Sequence, residues 1–204
     1  MFIVRTAILW MIISIIINAY LMTLPIPIFR KRDYPTNYLI KRNNRIDLQN
    51  NRECAAFSTA YVLRHFGMEA DGDELYTNFP SKMKSGNVYP KGIRTVLREK
   101  GFKTIYYKGN INSLKYEVSK GIPVIVFIKV HKDRNNLHFV PVVGYDTEYI
   151  YLSESLSQLV NCNDDNKSYN RKVPINEFRK LWNVKNVNML FYSNTYITVD
   201  VIQS

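Results

Sequence analysis

Apolar residues fall at 57, 61, 62 and 66 within Glu53–Phe66, a helical spacing that Gly67 ends. Lys91–Lys100 has the same character, with Pro90 as a start signal and Gly101 as a stop, and Asn112–Lys120 predicts a third helix closed by Gly121. The pattern then changes. Ile122–Val130 is a continuous apolar run of the kind a buried strand carries. Val140–Val143 and Tyr149–Leu152 are apolar runs joined by Gly144-Tyr145-Asp146-Thr147-Glu148. Asn188–Tyr192 and Tyr196–Val199 predict two final strands with Asn194 between them, and Tyr106 and Tyr107 read as strand residues. Helices first and a meandering antiparallel sheet second predict an α+β domain.

The N-terminus follows a different rule. No residue between Arg5 and Arg30 is charged, and Thr6–Leu24 is predominantly apolar up to Pro25 and Pro27, which is about the length that spans a bilayer. A cleaved signal peptide competes, but the apolar run exceeds the usual length of about 7–15 residues. Its best cleavage triplet, Ile17-Asn18-Ala19, also has a bulky residue where a small one belongs. The expected organisation is a single-pass membrane anchor over 1–29, a basic linker over 30–45 and one domain over 46–204. More positive charge follows the apolar segment than precedes it, which favours a membrane location with the domain on the cytoplasmic side. A working free thiol favours the same reducing side, and secretion would follow only if the segment were cleaved.

Composition narrows the function classes. The 204 residues carry 28 Lys+Arg against 17 Asp+Glu, a formal net charge of +11. The basic residues are spread along the chain, and no helix carries a dense basic stripe interleaved with aromatics, so nucleic acid is not an expected partner. The denser clusters, Arg30-Lys31-Arg32 and Lys41-Arg42 with Arg45, follow the apolar segment and read as a membrane-facing flank. The two cysteines cannot make a disulfide framework and lack Cys-x-x-Cys spacing. Cys162 with Asp164 and Asp165 lies in the polar stretch Asn161–Asn170 and reads as an exposed loop. No metal or other cofactor is expected.

Cys54 opens the first predicted helix, where unpaired N–H groups and the helix dipole favour an anion, so the position suits a nucleophilic thiolate. A small packed side chain is the competing reading, since Ala55-Ala56-Phe57 follow. A thiolate nucleophile needs a base, and there are three histidines. His65 lies eleven residues along the same helix, roughly 16 Å away at the helical rise, and is too distant. His131 sits in a polar loop. His138 opens a strand, and if residues 138–143 and 149–154 form a hairpin around Asp146, Val143 faces Tyr149 and His138 faces Glu154. Cys54, His138 and Glu154 would then stand as nucleophile, base and orienting acid. A register slip of one residue would instead offer Ser153 or Ser155, and a surface His–Glu pair is the other reading of the same geometry. The backbone N–H of Cys54 and one amide of Gln49-Asn50-Asn51 are candidate donors to a developing oxyanion.

A resemblance covers about residues 46–182. Gln49 through Ser58 with Tyr61-Val62-Leu63-Arg64-His65-Phe66-Gly67 resembles the nucleophile helix of the double-glycine, bacteriocin-processing peptidases and their stand-alone relatives. The likeness continues through Gly121-Ile122-Pro123-Val124-Ile125-Val126, His138 to Asp146, Tyr149 to Ser155, Val173-Pro174-Ile175 and Phe178 to Trp182. It implies a papain-like fold whose helical half carries the nucleophile, and a thiol peptidase acting on peptide or protein substrates through a thioester. In that reading Cys54 attacks, His138 moves the proton, Glu154 orients His138, and Gln49 helps bind the oxyanion. Two positions depart from the family pattern. Gln49 precedes Cys54 by five residues where six is usual, which leaves Asn50 as an alternative, and Glu154-Ser155 stands where Asp-Pro is usual. An inactive peptide-binding module and an acyl or amide transferase using the same Cys–His pair are the competing functions.

Overall fold

All three expected helices form, and among the described residues after 33 two further short ones join them. They are α1 (Cys54–His65), α2 (Gly72–Thr77), α3 (Pro90–Glu99), α4 (Ile111–Val118) and α5 (Ile175–Trp182). In this computed structural model the described residues are 5–6, 8–13, 25–28, 33–132, 136–163, 168–184 and 192–201. Local chemistry sets the helix ends. The Asp71 carboxylate accepts the Asp73 and Glu74 N–H groups at the start of α2, and Asn110 and Ser113 form a reciprocal capping box on α4. Pro90 occupies the first turn of α3, where its missing N–H costs nothing. Gly101 and Gly121 follow α3 and α4 with φ of +86° and +87°, a backbone region that favours glycine.

Among the described residues one eight-stranded sheet forms. Its strands are β1 (Ile26–Pro27), β2 (Tyr38–Leu39), β3 (Phe102–Lys108), β4 (Val124–Lys129), β5 (Leu137–Tyr145), β6 (Tyr149–Leu152), β7 (Arg171–Pro174) and β8 (Thr195–Val201). The order is β1-β3-β8-β4-β5-β6-β7, with β2 pairing the β5 edge. This corrects the expected meander, because the C-terminal strand β8 inserts between β3 and β4. The sheet is also mixed rather than wholly antiparallel, since β1 runs parallel to β3. The stretch read as a linker contributes β2, and Ile40 N–H extends that pairing to the Val143 carbonyl at 2.9 Å. Of the expected strand Asn188–Tyr192, residues 188–191 lie outside the described residues.

Helices cover both faces of the sheet, which is why β4 reads as an unbroken apolar run. Val124, Val126 and Ile128 pack with Leu114 of α4 and Phe178 and Trp182 of α5. The intervening Ile125 and Phe127 pack with Val62 of α1 and Ile93 and Leu97 of α3. Alternate residues point to opposite faces of a strand, so both must be apolar when both faces are buried.

The expected membrane anchor and membrane location are corrected here. Among the described residues no helix is long and apolar enough to cross a membrane. Residues 8–13 are helical, with Ile8, Leu9, Trp10, Met11 and Ile12 exposed, while residues 14–24 of the expected span lie outside the described residues.

Candidate active site

The site forms where the sheet comes apart. Strand β6 leaves the ladder after Leu152, and the chain continues through Ser153-Glu154-Ser155 without strand pairing. On β5 the carbonyls of Phe139 and Pro141 are two residues apart and serve the same edge. Pro141 O accepts the Ser153 N–H at 3.0 Å, and Phe139 O accepts the Ser58 hydroxyl of α1, also at 3.0 Å. The helix thus takes over the edge that β6 vacates. Ser58 lies one turn beyond Cys54, so this bond holds the Cys54 end of α1 beside the start of β5, where His138 sits. The Tyr61 and Ser153 side chains form a further hydrogen bond between the same two segments.

The structure brings Cys54, His138 and Glu154 together. The His138 ring is 1% exposed, and its Nε2 lies 2.7 Å from Oε1 of Glu154, which is fully buried. The Cys54 side chain hydrogen-bonds the same ring and is itself partly exposed. The hairpin register differs from the expected one. Val142 pairs with Leu152 rather than with Ile150, and a bulge lies between Val142 and Gly144. At Val142, on the His138 side of the bulge, the shift is two residues and so keeps side chains on their own faces, and the Glu154 side chain reaches His138 from beyond the ladder. Ser153 and Ser155 do not take its place at the ring: Ser155 Oγ donates to Gln49 Oε1 at 2.7 Å.

Burial and charge oppose each other at these two groups. Burial alone would push the His138 imidazole down, but the Glu154 carboxylate and the Cys54 sulfur outweigh it and hold the ring protonated, well above the ordinary histidine range. Burial would push Glu154 up, but the His138 charge and hydrogen bond, Arg171 and the Leu156 N–H hold it well below the usual carboxylate range. His65 behaves in the opposite way. Burial first, then the charge of Arg42, lowers it to about 4 despite a hydrogen bond to the Gly121 backbone, so it stays neutral.

Gln49 is buried, and two bonds tie it to Ser155. Its own N–H donates to the Ser155 carbonyl at 2.8 Å, and its Oε1 accepts the Ser155 hydroxyl. One amide hydrogen donates to Asn51 O at 2.7 Å, which leaves the second free of described partners. Asn50 is exposed in a bend, and the Asn51 N–H donates to the Glu53 carboxylate at 2.7 Å. Arg52 donates to Ser85 O and the Tyr76 hydroxyl to Gly86 O, which ties the 81–88 loop to the segment before α1 and to α2. No three His, Cys, Asp or Glu side chains gather to hold a metal among the described residues.

Sequence reasoning missed one site residue. Arg171, on β7, is buried, and its Nη1 lies 2.8 Å from Oε2 of Glu154. Strand β7 has four residues and only one buried apolar side chain, Val173, so hydrophobic alternation could not reveal it. The available signal was an arginine two residues before Val173-Pro174-Ile175, a stretch already resembling the family.

Comparison with known proteins adds to this geometry. A model of the family described as Peptidase_C39 like family matches residues 30–187. No curated protein matches the chain. The peptidase domain of Streptococcus ComA, a bifunctional ABC transporter involved in quorum sensing, has a similar fold. It superposes with a TM-score of 0.59 at 15% identity, covering 78% of this chain and 98% of that one. A chain described as a C39-like peptidase from Bacillus anthracis gives 0.57 at 20% identity, covering 82% and 99%. A double glycine motif protease from an AMS/PCAT transporter, crystallised with the leader peptide, gives 0.51 at 16%, covering 77% and 91%. These likenesses show the fold.

Proposed function

Because the chain belongs to the Peptidase_C39 like family, we propose that it is a cysteine peptidase in which Cys54, His138, Glu154 and Gln49 act together, within a peptidase unit spanning 46–204. The observation that carries this reading is a buried imidazole that hydrogen-bonds both a partly exposed thiol and a buried carboxylate. With Nε2 held by Glu154, the other ring nitrogen is the one that serves Cys54. The Cys54 sulfur, its proton transferred to His138, attacks the carbonyl carbon of a bound peptide. The second Gln49 amide hydrogen and the backbone N–H of Cys54, the first in α1 and without an intrahelical partner, stabilise the resulting oxyanion. His138 then gives its proton to the leaving amine as the C–N bond breaks, producing a thioester on Cys54. Water attacks the thioester while His138 takes a proton from it, and the carboxylic acid product leaves. Glu154 keeps the ring oriented and balances its charge through both halves of the cycle.

Mass spectrometry of a mixed peptide library tests this directly. New termini are expected with the native protein and not with Cys54→Ala, and an added primary amine should leave free acid as the main product. Amide products would instead indicate transfer, and unchanged peptides would indicate a binding module. Gln49→Ala is expected to lower kcat by about 10²–10³ with little change in KM, the scale of losing one oxyanion donor.

A further inference from the structure

The Glu154 side chain and its backbone are both held by neighbouring residues of one segment. Asn170 brackets the backbone, its Oδ1 accepting the Glu154 N–H at 2.7 Å and its Nδ2 donating to the Glu154 carbonyl at 2.8 Å. The next residue, Arg171, donates Nη1 to Oε2 at 2.8 Å, while Oε1 accepts from His138 Nε2 at 2.7 Å and from the Leu156 N–H at 2.8 Å. Each carboxylate oxygen is therefore committed, one to the ring and one to the guanidinium.

Charge counting gives this arrangement a purpose. Once the Cys54 proton is on His138, the buried Glu154 and His138 and the partly exposed Cys54 beside them carry two negative charges and one positive. An unbalanced charge in a water-poor site is costly, and protonation is how a cluster sheds a negative one. Arg171 makes the cluster neutral without supplying a proton, because arginine stays charged throughout the working pH range.

We propose that Arg171 is a positioning residue that keeps Glu154 ionised and aimed at His138, and so keeps the Cys54–His138 pair in its charge-separated form. The proposal rests on the peptidase reading of the same site. The groups that face this cluster come from several elements. Cys54 comes from α1, His138 from β5 and Arg171 from β7, with Tyr61 of α1 hydrogen-bonded to Ser153 next to Glu154. Tyr76 of α2 feels the charges of Glu53, Arg52 and Cys54. Arg171 is the second cation on Glu154, bonded to the carboxylate oxygen that His138 does not use.

The test is the pH profile of Cys54 labelling by a peptide vinyl sulfone, measured on the intact chain for native protein, Arg171→Met and Arg171→Lys, with thermal melts to establish folding. Removing a nearby cation makes neighbouring groups easier to protonate, so the acid limb should move to higher pH by about one unit in Arg171→Met. Arg171→Lys, which keeps the charge, should leave the limb in place while lowering the rate. An Arg171→Met chain that melts cooperatively with an unmoved limb would reduce Arg171 to a packing role and overturn the proposal. Should that variant not fold, Arg171→Lys carries the test alone, and a limb displaced by about a unit despite the retained charge is the contrary result. A native protein that takes no label at any pH would defeat the peptidase reading instead.

Discussion

His138→Ala is expected to reduce peptide hydrolysis by about 10⁴-fold or more in kcat, the scale seen when one member of a cooperating nucleophile–base unit is removed. The ring has three jobs in the proposed cycle: it takes the thiol proton, protonates the leaving amine and activates water. No other described imidazole can replace it. His65 is at the far end of α1 and is held neutral by burial, and His131 lies in a turn beyond β4. Peptide binding should persist, because in the proposed cycle the ring moves protons rather than holding the substrate. A steady-state assay should therefore show kcat collapsing while KM changes little. Removing the buried ring also leaves Glu154 with Arg171 as its remaining charged partner, so the melting temperature should be followed in parallel.

Glu154→Gln is expected to have the largest effect on stability. The substitution keeps the shape but leaves Arg171 and His138 without their shared carboxylate. Breaking one side of a buried ion pair costs about 3–5 kcal/mol. For a chain of this size that is a fall of roughly 10 °C in Tm. Activity should fall by about 10²–10⁴, since the amide can still hydrogen-bond the ring but no longer stabilises its charge. The pH dependence has a definite sign. Glu154 is held below its ordinary value of 4.5, so its contribution is fully present above that pH and is lost as pH falls through the lower folded value. His138 is raised from 6.5, so its contribution is present below 6.5 and is lost as pH rises towards the alkaline range. Native Tm should thus decline on acidification below about pH 4.5, and Glu154→Gln should remove the part of that decline that belongs to this carboxylate. Chemical denaturation across pH checks both statements.

How much of this was legible before the structure depends on the range of the interactions involved. α1, α3 and α4 were readable because each carries its own period and its own terminal Gly or Pro, all local features. The six-residue α2 was not, since it is too short to establish a period and depends on the Asp71 cap. Strand β4 was readable as buried on both sides, but its neighbour β8 was not predictable, because the pairing of Ile125 with Ile197 joins residues far apart in the chain. The His138–Glu154 contact was expected from a hairpin whose register turned out to be two residues off. It survived because the shift was even and because glutamate has the reach that the gap demands. Arg171 stayed hidden for the opposite reason: its position depends on β7 joining β6, and four residues carry no periodic signal.

The two cysteines provide an internal control for the proposed chemistry, since both are partly exposed and, among the described residues, Cys54 is the one beside an imidazole bonded to a carboxylate. Intact-mass and peptide-mapping analysis after brief treatment with a peptide vinyl sulfone at neutral pH reads this difference. A single adduct on Cys54, absent from Cys162 and lost in His138→Ala, is the predicted result. Equal labelling of both thiols, or a Cys54 adduct that forms as fast without His138, would contradict it.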